Sequence, residues 1–183
     1  MKFEETSIPG CFLIDTDIKK DARGHFVKTF HSPLFETQGL NVEFKESFYT
    51  LSKKNVLRGF HFQVPPSDHD KLVYCASGEI LDVVLDIRKN SPAFGKAVTA
   101  VLSSENGRQF FIPKGLAHAF FTQSEQAVVI YNTTHPYSEQ HDRGLHWKSS
   151  PVLWPAANPI VSNRDNAFPL LKDFKSPFEF PTS

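Results

Sequence analysis

His61 stands in the stretch NVLRGFHFQ (Asn55 to Gln63), and four further groups able to do chemistry follow it along the chain. These are Lys71, His118 within IPKGLAHAF (Ile112 to Phe120), Tyr131, and Asp165 at the end of SNRD (Ser162 to Asp165). A lone histidine with Gln63 nearby would read as a satisfied core residue. An ammonium group in apolar, strand-like surroundings costs free energy unless it has a partner or a task. The company of Lys71, His118 and Tyr131 therefore points to a functional cluster.

The set includes neither a nucleophilic serine or cysteine motif nor a dinucleotide-binding glycine loop. It suits removal of a proton next to a carbonyl. That reaction needs a base, a partner that orients it, a cation near the developing enolate oxygen, and an acid that returns the proton. Imidazole, with an ordinary pKa of about 6.5, is poised for the base. An Asp on its other nitrogen fixes the tautomer and stabilises the imidazolium. Lysine supplies charge at the oxygen, and tyrosine delivers a proton from the opposite face, which inverts the carbon.

The segment Ile112 to His118 also has the PxGxxH shape of the second metal-binding motif of cupins, in which a tight turn presents a strand histidine. The first cupin motif needs two histidines at i and i+2, then a Glu, to supply enough ligands for a divalent ion. Here Phe62 and Gln63 follow His61. The expectation is a dismantled metal site, with a metal-dependent cupin enzyme using His61, His69 and His118 as the alternative.

Short strands must carry these groups. Apolar runs at Cys11 to Ile18, Phe26 to Phe30, Phe44 to Leu51, Val56 to Phe62, Leu72 to Ala76, Glu79 to Ile87, Ala97 to Leu102, Gln109 to Ile112, Ala117 to Thr122 and Ala127 to Asn132 recur at the spacing of sandwiches and barrels. In one of them Leu81, Val83, Leu85 and Ile87 share a face, opposite Asp82, Asp86 and Arg88. In another, strict alternation puts His61 and Gln63 on one face, and Arg58, Phe60 and Phe62 on the other. Ser32 to Gln38 is the best helix candidate, with Ser32 as N-cap and Pro33 at the first helical position. After Tyr137 prolines become frequent and two tryptophans appear, as in an irregular tail wrapped on a barrel. The expected fold is all-β, a jelly-roll barrel with short peripheral helices and an irregular C-terminal tail. His61 and Lys71, on consecutive strands, would meet at its cavity.

Composition sets the outer limits. The chain has 183 residues with 40% hydrophobic content, enough for one domain over 1–183 without disulfides. Lys plus Arg and Asp plus Glu are both 20, so a net charge of +0 gives no support to nucleic-acid or anionic membrane binding. The opening MKFEETSIPG lacks the apolar run of a signal peptide, and no stretch approaches the roughly 18 apolar residues of a membrane span. A cytoplasmic protein is expected. Cys11 and Cys75, each in apolar sequence, read as buried free thiols.

The elements RGxHxQ, KLV, DVVxDIR, IPxGxAH and SxxD, in that order from Asp21-Ala22-Arg23-Gly24 to Asp165, closely resemble the dTDP-4-dehydrorhamnose 3,5-epimerases and related nucleotide-sugar epimerases. The resemblance implies a cupin-type homodimer, independent of metal and dissociable cofactors. Its substrate would be a nucleoside-diphosphate 4-keto-6-deoxyhexose inverted at C3, C5 or both. It further implies His61 with Asp165 as the base dyad, Lys71 as the enolate stabiliser and Tyr131 as the acid. Arg58, Gln63 and His118 fall on pocket positions, and Arg23, Phe26, Glu46 and Tyr137 on substrate or nucleotide-binding ones.

The chain departs from that pattern on the nucleotide side. Lys28 stands where a Glu is usual, Glu46 replaces an amide, Phe48 replaces an Asn, and the WNDP-like turn becomes WKSSP (Trp147 to Pro151). A carboxylate at 46 only accepts hydrogen bonds, which suits a base edge with paired donors, such as guanine, better than thymine. CDP or GDP sugars are thus the alternative substrates. A binding protein that has lost turnover is a third reading, opposed by the intact His61, Lys71, Tyr131 and Asp165.

Overall fold

The computed structural model describes residues 1–181; Thr182 and Ser183, the last two residues of the domain expected over 1–183, lie outside the described residues. The strands are β1 (Lys2–Glu5), β2 (Phe12–Asp15), β3 (Ile18–Asp21), β4 (Gly24–Val27), β5 (Glu46–Lys53), β6 (Leu57–Gln63), β7 (Lys71–Ser77), β8 (Glu79–Asp86), β9 (Ala97–Ser103), β10 (Arg108–Ile112), β11 (Leu116–Thr122), β12 (Gln126–Thr133) and β13 (Asp142–Gly144). Two antiparallel sheets face each other, ordered β1-β2-β10-β7-β12-β5 and β13-β6-β11-β8-β9, and β3 pairs only with β4. This is the expected all-β jelly roll. Among the described residues no helix is long and apolar enough to cross a membrane.

Three apolar layers explain why so many strands are buried on both faces. Val73, Val84, Phe110, Phe120 and Val129 meet between the sheets. The outer face of the smaller sheet, with Phe60, Phe62, Val83 and Leu85, is covered by Trp154, Phe174 and Phe178 of the tail. The outer face of the larger sheet is covered by helix α1 (Ser32–Glu36), whose Phe35 packs on Ile14, Leu72 and Phe111. Burying a large apolar side chain stabilises by about 1.5–3 kcal/mol, so the aromatic tail holds the sheet that carries His61.

Several local readings are corrected. The run Cys11 to Ile18 divides into β2 and the start of the β3–β4 hairpin, with Thr16 and Asp17 outside both strands and the Thr16 hydroxyl donating to the Gly107 carbonyl oxygen at 2.7 Å. Helix α1 is capped by His31, in extended conformation and without a side-chain bond, so Ser32 lies inside the helix. The polar face of β8 looks into the interior: Asp82 and Asp86 are both 0% exposed. Asp86 is satisfied there by Arg88 Nη2 at 2.7 Å, Arg88 Nε at 3.0 Å and Ser91 Oγ at 2.7 Å. The DIR sequence is therefore a buried clamp, which a charge pair needs if it is to repay its desolvation. Cys11 and Cys75 are buried free thiols, and burial pushes their pKa values up to about 12 and about 11.

Candidate active site

A bulge in β6 shapes the site. Between the pairs His118↔His61 and Phe120↔Arg58, β11 advances two residues while β6 advances three. The extra residue resets the alternation. Arg58 and His61, which strict alternation separates, line one hollow. Gly59 permits this with φ +109; a Cβ there would sit 2.4 Å from the His118 carbonyl oxygen and 2.7 Å from Ala119 Cα. Gly59 also donates its N–H to Asp165 Oδ2 at 3.1 Å.

Asp165 reaches β6 from the short helix α2 (Asn163–Asn166), whose N-cap is Ser162. The Ser162 hydroxyl accepts the Asp165 N–H at 3.0 Å, which gives the SxxD spacing its local meaning. Asp165 Oδ1 then lies 2.8 Å from His61 Nε2. Burial pushes the Asp165 pKa up, but the bonds from His61, the Gly59 N–H and Ser162 prevail and hold it below the ordinary value. An ionised Asp165 accepts the Nε2 proton, so His61 Nδ1 keeps its lone pair.

Lys71 opens β7 beside this dyad. Its Nζ donates to the His61 carbonyl oxygen at 3.2 Å, and burial lowers its pKa to about 8 against the opposing charges of Asp142 and Asp82. An inner hollow of about 150 Å³ is lined by His61, Lys71, Arg58, His118, Phe120, Tyr131, Phe48 and Thr50. An outer hollow of about 220 Å³ shares His61, Lys71 and Phe48 with it, and the two form one cleft.

Tyr131 is buried, and burial raises its pKa far above the ordinary range, so the phenol keeps its proton. Its ring stacks on Phe48 with centroids 4.8 Å apart, and His118 stands edge-on to it at 5.9 Å. His118 Nε2 is fixed at 2.8 Å from Asp82 Oδ2, making a second, fully buried imidazole–carboxylate pair. Asp82 was absent from the expected site residues. An acidic residue midway along an apolar strand, four residues before the Asp86 of DIR and on the same face, was the available signal. Arg58 is held by Ser52 Oγ at 2.9 Å.

The outer hollow receives Glu46, Gln63 and Tyr137 as expected, with Asp142 and Arg164, which the sequence reading did not single out. Gln63 acts as a brace: its amide serves Ser67 O at 2.8 Å and Pro136 O at 3.3 Å, and accepts the Ser138 N–H at 2.6 Å. One Glu46 oxygen accepts the Tyr137 N–H at 2.8 Å. Arg164 pairs with Asp142. Arg23 and Phe26 are not brought into this cleft. They lie on the β3–β4 hairpin, where Arg23 pairs with Asp21 at 2.6 Å and Phe26 is exposed. The alternative metal set does not converge either: His61 and His118 each spend a nitrogen on a carboxylate, and among the described residues no three His, Cys, Asp or Glu side chains are grouped as metal ligands would be.

This arrangement is similar to known proteins. The family model described as dTDP-4-dehydrorhamnose 3,5-epimerase matches residues 5–173. A dTDP-4-dehydrorhamnose 3,5-epimerase of Shigella flexneri is 42% identical over 168 residues, covering 90% of this chain and 93% of the relative. A dTDP-6-deoxy-D-glucose-3,5-epimerase of Legionella pneumophila, solved in complex with dTDP-4-keto-L-rhamnose, superposes with TM-score 0.93 at 33% identity and 99% coverage of both chains. A 4-keto-6-deoxy sugar epimerase from the novobiocin biosynthetic gene cluster of Streptomyces spheroides gives TM-score 0.90 at 28% identity, covering 94% of this chain and 88% of that one.

Proposed function

The chain belongs to the dTDP-4-dehydrorhamnose 3,5-epimerase family, and on that premise we propose a substrate and a role for each residue of the cleft. It is an epimerase, a type of isomerase. The substrate is a nucleoside-diphosphate 4-keto-6-deoxyhexose, inverted at C3, C5 or both. The observation that carries the reading is the His61–Asp165 pair at 2.8 Å, in a cleft shared with Lys71 and Tyr131.

The steps follow from that geometry. His61 Nδ1 takes the proton from the carbon next to the ketone, and Asp165 stabilises the imidazolium. Lys71 places its charge at the C4 oxygen as the enolate forms. Tyr131, with its proton retained by burial, returns a proton from the opposite face; the phenolate and imidazolium re-equilibrate with solvent. His118 and Asp82 fix the wall against which Tyr131 stands. Removing one member of such a buried pair costs about 3–5 kcal/mol.

The acting form is a homodimer. Exposed Arg23 and Phe26 on the hairpin, together with exposed Phe48, Tyr49 and Leu51 on the free edge strand β5, support a hairpin that reaches the partner's cleft. Sedimentation gives the mass, and a monomer with full activity overturns this part. The reaction is tested by NMR in D2O with dTDP-4-keto-6-deoxyhexose. Deuterium enters C3 or C5 with inversion; absence of exchange with every nucleoside diphosphate sugar overturns the reading. Glu46 in the outer hollow favours a second reading of the base alone. Competition binding with dTDP, CDP, GDP and UDP decides between them, and a clear dTDP preference sinks the second.

A further inference from the structure

His69 lies two residues before Lys71 and lines the outer hollow with it, yet none of the steps above uses it. Its Nδ1 is 3.2 Å from the Ser67 carbonyl oxygen and 3.2 Å from Gln63 Nε2. The Gln63 amide has two protons, and both are committed, to Ser67 O and Pro136 O. None remains for His69, so His69 carries its own proton on Nδ1 and donates it to Ser67 O. That fixes the tautomer and leaves a lone pair on Nε2. Among the described residues Nε2 has no hydrogen-bond partner, and it is not one of the atoms sealed from solvent without one. Burial and the neighbouring Lys71 charge keep the ring neutral, with its pKa lowered to about 3. A neutral acceptor of fixed orientation thus faces the cleft next to the cation assigned to the enolate oxygen.

An acceptor selects a donor. A 4-keto-6-deoxyhexopyranose joined through O1 keeps hydroxyls only on C2 and C3, because C4 is the ketone, O5 closes the ring and C6 is a methyl. The C3 hydroxyl changes place when C3 inverts. The C2 hydroxyl does not, and can hold one contact through the whole reaction. Resting on the epimerase reading, we propose that His69 is a substrate-binding residue whose Nε2 accepts a hydrogen bond from the sugar 2-hydroxyl.

A contact kept equally in the ground and transition states lowers KM and leaves kcat alone. The test uses dTDP-4-keto-6-deoxyhexose and its 2-deoxy counterpart with wild type, His69→Leu, His69→Phe and His69→Gln. On the parent sugar the Leu and Phe variants raise KM by about tenfold, as expected for one hydrogen bond to a buried acceptor, and change kcat by less than about twofold. On the 2-deoxy sugar they match wild type. His69→Gln, whose amide oxygen accepts, stays near wild type on the parent sugar. Melting temperatures identify any variant that fails to fold, and Leu and Phe back each other. The same KM penalty on both sugars, or a loss in kcat alone, overturns the assignment. Wild type inert toward the parent sugar carried on each of dTDP, CDP, GDP and UDP would overturn the epimerase reading itself.

Discussion

Replacing Lys71 with methionine should stabilise the protein while disabling it. The unfolded lysine has a pKa of 10.5 and the folded one about 8. Below pH 8 the group is charged in both states, and the folded state bears the cost of burying that charge. As pH rises from 8 to 10.5 the folded state loses its proton first, the unfolded state binds more protons, and stability increases. At about 1.4 kcal/mol per pKa unit the cost at pH 7 is on the order of 3 kcal/mol, less after allowing for partial exposure and for the bond to the His61 carbonyl. Methionine matches the aliphatic stem without the charge, so Lys71→Met should gain about 1–2 kcal/mol, or roughly 2–8 °C in Tm. Its turnover should fall by about 10²- to 10³-fold, the loss seen when one transition-state charge partner is removed. Scanning calorimetry at pH 7 and pH 10 reads the first effect, which should shrink at the higher pH; steady-state kinetics reads the second. In wild type kcat/KM should decline as pH passes about 8, and Lys71→Arg should remove that limb. A lower Tm for Lys71→Met at pH 7, or an unchanged limb in Lys71→Arg, would refute the reasoning.

Asp165→Asn should cut kcat by about 10²- to 10⁴-fold with KM nearly unchanged, because its bond to His61 matters most once the imidazole is charged; steady-state kinetics with unaltered melting checks it. Tyr131→Phe should still exchange substrate hydrogen with D2O but fail to invert, and intact epimerisation would remove Tyr131 from the acid role. Gly59→Ala should lose about 4 kcal/mol or more, since a Cβ 2.4 Å from the His118 carbonyl forces the bulge to move and breaks the N–H bond to Asp165. Thermal melting tests this, and a shift under 2 °C would contradict the packing described.

The strand pattern was legible because alternation and turn residues are local signals. The runs at Glu79 to Ile87, Ala97 to Leu102 and Ala127 to Asn132 correspond closely to β8, β9 and β12. The short strands β1 and β13 were not legible: β1 is four largely exposed residues with little apolar alternation, and β13 is three residues defined by a partner far away in sequence, Gly144 with His61. Alternation itself misled at Arg58, where the bulge depends on close approach of β11 to Gly59. The one signal within β6 is Gly59 itself, since an isolated glycine in a strand marks a bulge or a close backbone approach.

The sequence by itself determined the chemical inventory. Residue types and spacing, such as SxxD with its self-capping serine and PxGxxH with its glycine turn, are properties of the chain's local geometry. Which groups face one another was decided only in three dimensions. Asp82 changed from a polar-face residue to the buried partner of His118, Gln63 proved a brace as well as part of the outer hollow's lining, and Arg23 and Phe26 stand on the hairpin, outside the chain's own cleft. The reason is physical: a buried polar group must be satisfied, and the partner that satisfies it comes from whichever strand the register brings alongside.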